Sequence, residues 1–251
     1  MAWVDTLKDI SACVIIIGNE ILSGRTQDVN LAYIGKRCDE LGIALLESRA
    51  IPDLEDRIID TVNECRRHFS YVFTTGGIGP THDDITSAAI ALAFDRKIVR
   101  SEEAVAVMDS YYEPGMLTEA RLKMADVPEN SILIDNPVSG APGFQLENVF
   151  VLAGIPMIMQ AMFDGITDRL TGGALIITAN IATNLGESAL AEGLAKLQDN
   201  YGDVSIGSYP YFKKGKLGVN LVLRSTDVSR VDALKLELKS MIKSLDGDVV
   251  D

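Results

Sequence analysis

Positive charge is what this sequence has least of. Its 23 lysines and arginines stand against 36 aspartates and glutamates, a formal net charge of −13. Neither a nucleic acid nor an anionic membrane surface would attract such a chain, although a small anionic ligand carried with a metal stays open. Cysteine is scarce as well. Cys13, Cys38 and Cys65 are odd in number, far apart and never in a CxxC pair, so they read as reduced core thiols of a cytoplasmic protein. Long apolar runs are missing too: the two longest, Ala12 to Ile17 and Val149 to Met159, are too short to cross a bilayer. No charged-then-apolar leader precedes Cys13, and the expectation is a soluble, cytosolic protein. Histidine occurs twice. His68 falls at a helix end, where pairing with the dipole is the ordinary job, and His82 reads as an exposed bystander.

What remains is an ordinary globular composition, 47% apolar and 24% charged with 21 glycines in 251 residues. That length suggests one or two domains of roughly 100 to 200 residues each. The informative stretch is Tyr71 to Thr86, YVFTTGGIGPTHDDIT. Tyr71 to Thr75 is β-branched and aromatic, as a buried strand requires. Gly76, Gly77 and Gly79 open a loop, Pro80 and Thr81 turn it, and Asp83 and Asp84 stand where the apolar run Ile85 to Phe94 begins a helix. A glycine loop ahead of a helix N-terminus lets backbone N–H groups converge on an anion.

The two acids set a condition. A helix N-terminus favours a nearby anion by about 0.3 to 1 kcal/mol. Two like charges about 4 Å apart repel by about 4 kcal/mol at an effective dielectric of about 20. A phosphate held beside Asp83 and Asp84 therefore needs a divalent cation bridging carboxylate and phosphate oxygens. For either acid alone, capping or dipole pairing is the simpler job; both together, among three glycines, Pro80 and two threonines, favour a ligand site. Two familiar phosphate motifs are not met. In the run from Gly77, His82 stands where a dinucleotide fingerprint needs its third glycine, and Gly18 and Gly24 enclose five residues with Arg25 where a P-loop has lysine.

The run GGIGPTHDDIT resembles the molybdopterin-binding domain of MogA and MoeA proteins, and more closely the version in CinA proteins and eukaryotic FAD synthases. In the MogA branch only the second acid is shared, which carries over to Asp84 and makes Asp83 the mark of the CinA branch. GNEILSGRTQDVN, from Gly18 to Asn30, resembles the CinA pattern of Gly, any residue, Glu, two apolar residues, a small residue, Gly, then Thr, Asp and Asn. The resemblance makes Glu20, just past the C-terminal end of strand Ala12 to Ile17, a third candidate carboxylate for the metal. Gly24 and Asn30 join the ligand candidates, with helix capping the simpler job for Asn30 and Asp28.

Further along, Met124, Val127, Pro128, Asn136 and Pro137 match the family's path back to the sheet. Asn136, Ala141, Pro142 and Gly143 stand where relatives face the ligand, a tight turn being the alternative. Where the family has Pro, Gly, apolar, Pro, any residue, Glu, Met, this chain has Ala153, Gly154, Ile155, Pro156, Met157, Ile158 and Met159. The customary acid is replaced by Ile158.

Strand and helix alternate: Ala12 to Ile17, a helix from about Leu31 to Leu41, Ile43 to Ala50, a helix Leu54 to Arg67, then Tyr71 to Thr75. That order predicts right-handed βαβ units and a three-layer α/β/α domain with a mostly parallel sheet over residues 1–170. Two helical stretches split by Glu113, Pro114 and Gly115 follow, then a hairpin at Leu146, Glu147 and Asn148 into strand Val149 to Leu152, and a helix from Pro156 to about Leu170.

Thr171, Gly172 and Gly173 read as a linker. Residues 171–251 predict a small α+β module of βαββα order: strand Ala174 to Thr183, helix Glu187 to Leu197, strands Val204 to Phe212 and Leu217 to Ser225 around a Lys213, Lys214, Gly215 turn, and helix Val228 to Leu245. That last helix places Val231, Leu234, Leu238, Met241, Ile242 and Leu245 on one face. GESALAEGLAKL resembles the start of the KH-like module of CinA proteins, but no basic face accompanies it in a chain of net charge −13, so RNA is not the expected partner. Its reading is an oligomerisation or lid module, and the chain as a whole reads as a homo-oligomer.

The resemblance implies metal-dependent cleavage of a nucleotide pyrophosphate such as ADP-ribose or FAD. Asp83, Asp84 and Glu20 would hold magnesium, manganese or cobalt; Gly76, Gly77, Gly79 and Pro80 would cradle phosphate; Thr81 and Thr86 would donate hydroxyls. It equally allows binding of molybdopterin or adenylyl-molybdopterin without hydrolysis, as in molybdenum cofactor biosynthesis. In both cases the partner is a phosphate-bearing small molecule. Deamidation of nicotinamide mononucleotide, the work of a domain that usually follows in CinA proteins, is not expected.

Overall fold

The computed structural model describes residues 10–213 and 215–250. Strand β1 (Ser11–Ile17) is buried along its whole length, and its side chains alternate between two cores. Cys13, Ile15 and Ile17 face one, and Ala12, Val14 and Ile16 face the other, the pattern of a central strand covered on both sides. A one-turn helix α1 (Asn19–Leu22), helix α2 (Asn30–Leu41), strand β2 (Ala44–Ile51), helix α3 (Glu55–His68) and strand β3 (Tyr71–Thr75) follow. Strands β2 and β3 both pair parallel with β1, one on each side. Helix α2 contributes Ile34 and Cys38 to one core, and α3 contributes Ile58, Val62 and Cys65 to the other. The chain thus leaves β1 in one direction and β3 in the other. The crevice outside the carboxyl ends of β1 and β3 is a topological switch point, where ligands gather in open α/β sheets.

Helix α4 (Thr86–Ala93) packs on the α3 side. Next come β4 (Ile98–Arg100), α5 (Glu102–Tyr111), the single turn α6 (Glu119–Leu122), β5 (Asp126–Pro128), β6 (Ile132–Ile134), β7 (Gly143–Leu146), β8 (Val149–Leu152) and α7 (Pro156–Gly165). The main sheet has six strands in the order β2-β1-β3-β8-β7-β6. Strand β8 is parallel to β3, whereas β7 is antiparallel to both of its neighbours. The three-layer, mostly parallel α/β/α architecture is therefore present, with a hairpin edge. One feature was not foreseen: β4 and β5 form a separate two-stranded antiparallel pair. Helix α7 is also shorter than expected, ending at Gly165 before a 3-10 turn at Thr167–Arg169.

The chain divides into two units after Gly173 rather than after Leu170. The glycine-rich segment belongs to the first unit because Thr171 N–H donates to the Tyr71 hydroxyl (2.8 Å) and Gly173 N–H to the Gly42 carbonyl (3.0 Å).

The second unit holds β9 (Ile177–Thr183), α8 (Glu187–Asn200), β10 (Ser205–Lys213), β11 (Lys216–Ser225), α9 (Val228–Ser244) and β12 (Val249–Val250). Its sheet order is β10-β11-β9-β12, with every pairing antiparallel. Leu190 and Leu197 of α8 and Val231, Leu234, Leu238 and Ile242 of α9 pack on Ile181, Val219, Leu221 and Leu223 of the sheet. Three expectations need correction. The first strand begins at Ile177, because residues 174–176 form no ladder bonds; β12 adds a fourth strand; and Leu245 is exposed, lying past the helix end. Lys214, in the expected turn, lies outside the described residues.

The first unit's core has an aromatic centre. Phe73 of β3 lies 5.5 Å from the Phe150 ring and 5.0 Å from the Phe163 ring, and all three are buried. Phe73→Ala should cost about 3 to 5 kcal/mol of stability, read as a lowered urea midpoint; a loss below about 1 kcal/mol would show that the cluster does not organise the core.

Candidate functional site

The glycine loop leaves β3 under tight steric control. Gly76 has φ 104°, and a methyl group there would stand 2.2 Å from the Ile17 carbonyl at the end of β1. Its N–H donates to the Leu152 carbonyl of β8 (3.2 Å). That N–H is therefore committed to the sheet, and the expected place of Gly76 among the phosphate donors falls away. Gly79 is needed for a different reason: a methyl group on it would stand 2.6 Å from Asp84 Oδ2. No side chain fits between this backbone and the carboxylate.

Neither acid caps α4. Ile85 holds the N-cap position with no side-chain cap bond, and Asp84 instead folds back onto the loop. Its Oδ2 accepts from the Thr81 N–H (2.8 Å) and lies 2.6 Å from the Thr81 hydroxyl, while Asp83 Oδ1 lies 2.5 Å from the same hydroxyl. One hydroxyl has one proton, so two carboxylates converge on an oxygen that can donate to only one of them. Behind the loop, Lys123 Nζ donates to the carbonyls of Thr81 and Asp84, the latter at 3.0 Å. The Thr81 hydroxyl, then the loop's own backbone, hold the Asp83 carboxyl below the ordinary aspartate value.

The loop borders a cavity of about 590 Å³. Of the residues singled out from the sequence, Glu20, Gly76, Gly77, Gly79, Pro80, Asp84, Asn136 and Ala141 line it. Asp83 and Thr81 are exposed on the loop's outer side, and Gly24 lies in the turn after α1. Thr86 is buried, its hydroxyl without a partner beneath Gly77. Asn30 is buried too, donating to the Gly154 carbonyl (2.8 Å) while its Oδ1 has no partner. It is the first residue of α2 rather than its cap; Asp28 accepts from the Leu31 N–H (2.9 Å), a capping contact.

Asn136 satisfies itself within its turn. It donates to Ser139 Oγ and the Ala141 carbonyl and accepts from the N–H groups of Val138 and Ser139, so its side-chain bonds are all made inside its own turn. Gly143 is a packing residue of β7: a methyl group would meet the Val151 carbonyl at 2.3 Å. Pro142 is buried.

Sequence reasoning missed the far wall. Tyr112, Arg121 and Ser139 line the cavity, with Thr26 at another edge; Met124, Gly154 and Ile155, already named from the family match, line it as well. Arg121 brings the lining its one cation among the described residues. No local motif announces Tyr112, Arg121 or Ser139.

The donor set bears on a divalent ion. Among the described residues no group of three His, Cys, Asp or Glu side chains is gathered, so Glu20 does not join Asp83 and Asp84 in one cluster. Its carboxylate lies back against Gly18. Two carboxylates beside an oxygen-only loop do not make a protein cage. They do fit magnesium as it is usually held, by one or two carboxylates together with substrate phosphate.

Comparison with known proteins agrees with this architecture. The family model for a probable molybdopterin binding domain matches residues 13–172, and that for the FAD synthase middle domain matches residues 176–246. A protein of Archaeoglobus fulgidus is 36% identical over 78% of this chain and 84% of its own length. A CinA-like protein of Kosmotoga olearia is 28% identical over 96% of this chain. The crystal structure of CinA from Thermoplasma acidophilum, described as of unknown function, superposes with a TM-score of 0.60 at 33% identity, over 63% of this chain and 96% of that one. The chain belongs to the molybdopterin-binding-domain family and within it is CinA-like. It spans 60% of the length of the Kosmotoga relative. No helix among the described residues is long and apolar enough to cross a membrane.

The acid loop makes a titration prediction. A carboxyl whose folded value is depressed contributes stability that is present above its unfolded value and lost as pH falls through the folded one. Asp83 should titrate by NMR below the ordinary value of about 3.9. Thr81→Val should move it back up, and an unchanged titration in that variant would remove the hydroxyl as the cause.

Proposed function

We propose that this protein is a metal-dependent nucleotide pyrophosphatase acting on ADP-ribose- or FAD-like substrates. The observation that carries the reading is the pair of loop carboxylates, Asp83 and Asp84, converging on the Thr81 hydroxyl beside the glycine loop and a cavity of about 590 Å³. That volume lies in the range of sites that enclose a whole small ligand. The match of residues 176–246 to the FAD synthase middle domain supports a dinucleotide.

Asp84 and Asp83 would hold the cation, magnesium, manganese or cobalt; Glu20 lines the same cavity but stands apart from them. When bound, such an ion polarises a phosphoryl oxygen and lowers the pKa of a water ligand. The protein's own part is orientation. The backbone from Gly77 to Gly79 approaches the phosphate without side chains in the way. Asp84 is kept in one position by Thr81 and Gly79, so little of its motion must be frozen when substrate arrives. The reaction is addition of water across the pyrophosphate bond, giving AMP and ribose 5-phosphate, or AMP and FMN.

A second reading, binding of molybdopterin or its adenylylated form without hydrolysis, draws on the family description and on two observations. Glu20 stands apart from the loop acids, and buried Ile158 lines the cavity where the family resemblance leads one to expect an acid.

The deciding experiment is AMP release from ADP-ribose and FAD by the purified protein with magnesium, manganese or cobalt, and with a chelator control. Metal-dependent release, reduced at least about 100-fold in Asp84→Ala, is expected. Absence of turnover with every metal overturns the hydrolytic reading, and molybdopterin affinity then tests the second. Wild-type turnover in Asp84→Ala would remove the loop as the site.

A further inference from the structure

The cavity has a second wall that neither the glycine loop nor its acids account for. It is built from the C-terminal end of α5, the turn α6 and the turn from Asn136 to Ala141, and it is held together by Tyr111. The Tyr111 hydroxyl donates to the Val138 carbonyl, and its ring lies directly on Gly140, where a methyl group would stand 2.5 Å from the ring. Tyr112 and Ser139 are thereby brought to the same cavity.

Arg121 completes this wall. Its backbone is set by the N-cap of α6, where the Thr118 side chain accepts from the Arg121 N–H. Its guanidinium lies over the Tyr112 ring, 4.6 Å from the centroid, and one Nη1–H donates to the Met116 carbonyl (2.5 Å). A guanidinium stacked on a ring and anchored by one donor keeps its remaining N–H groups in a fixed plane. No ion pair joins it to a carboxylate among the described residues, in a chain that carries 36 of them. It is half-buried, and Met124, Asn136, Ser139 and Ala141 line the cavity with it.

We propose that Arg121, positioned by Tyr112, is an anion subsite distinct from the acid loop, and that it commits the cavity to ligands with two linked phosphates rather than one. The inference rests on the reading of the loop as a phosphate site. The loop, carrying acids, takes a phosphate together with a cation; Arg121 takes the second phosphate directly. The planar fork of arginine suits two oxygens of one phosphate, and a monophosphate leaves one of the two subsites unused.

The test is equilibrium binding by calorimetry with the full chain and magnesium, using the non-hydrolysable α,β-methylene analogue of ADP-ribose and, separately, AMP. Arg121→Gln should weaken the analogue roughly 10- to 100-fold, the ordinary value of hydrogen bonds to a charged group, and leave AMP within about 3-fold. Arg121→Lys should recover only part of the loss, because charge returns without the fork. Unchanged analogue affinity in Arg121→Gln, an equal loss for AMP, or no wild-type affinity for the analogue would each overturn the proposal. The two readings fail separately. A loss confined to the analogue in a protein without turnover keeps the subsite and discards hydrolysis, while turnover with Arg121→Gln binding the analogue normally does the reverse.

Discussion

The rest of the first unit's site depends on the place where three parallel strands end together. Gly76 leaves β3 with no room for a side chain beside the Ile17 carbonyl of β1, its N–H on the Leu152 carbonyl of β8, and a methyl group on Gly154 would stand 3.3 Å from its α-carbon. Any side chain at position 76 would have to push apart strands whose side chains are buried on both faces, and close-packed interiors resist such displacement. The loop therefore leaves the sheet at one angle. The later contacts follow from that angle: Gly77 over the Thr86 hydroxyl, Gly79 under the Asp84 carboxylate, Thr81 bonded to both acids. The position of Asp84 is fixed by steric exclusion before any electrostatic term enters.

Much of this was legible in the sequence because it is local. A continuous apolar run is what a strand covered on both sides requires, and the alternating helices at the right spacing left few topologies open. The ends of elements were read closely where glycine or proline marks them, as at Gly42 and Pro156. What was not legible involved pairing between distant segments. The β4–β5 ladder joins residues 98–100 to residues 126–128, and the strand Val249–Val250 is too short to carry a pattern of its own.

The same division runs through the site. The glycine loop is one continuous stretch, so its residue types were enough to mark it. Its detailed roles were not, because composition does not say whether an N–H is already taken. Gly76 has its N–H on the sheet, and Asn136 uses all of its side-chain bonds inside its own turn. The far wall could not be read at all. Tyr112, Arg121 and Ser139 belong together only through the contact of Tyr111 with Val138 and Gly140, a tertiary fact with no periodicity or motif behind it.

The charges of the cavity then acquire a direction. The Thr81 N–H bonds Asp84, one hydroxyl proton lies between Asp83 and Asp84, and Lys123 donates to the loop's carbonyls. Repulsion of about 4 kcal/mol between close like charges in such surroundings is too large for the loop to accept an anion unaided. At the other wall Arg121 is a cation over an aromatic ring and the one cation of the lining among the described residues. On the proposed reading, an anion entering without a cation would be drawn to the Arg121 wall, and one entering with a divalent ion would be held at the loop as well. The cation does more than add affinity. On that reading it would decide which end of the cavity a phosphate occupies, and so which way round an extended ligand lies.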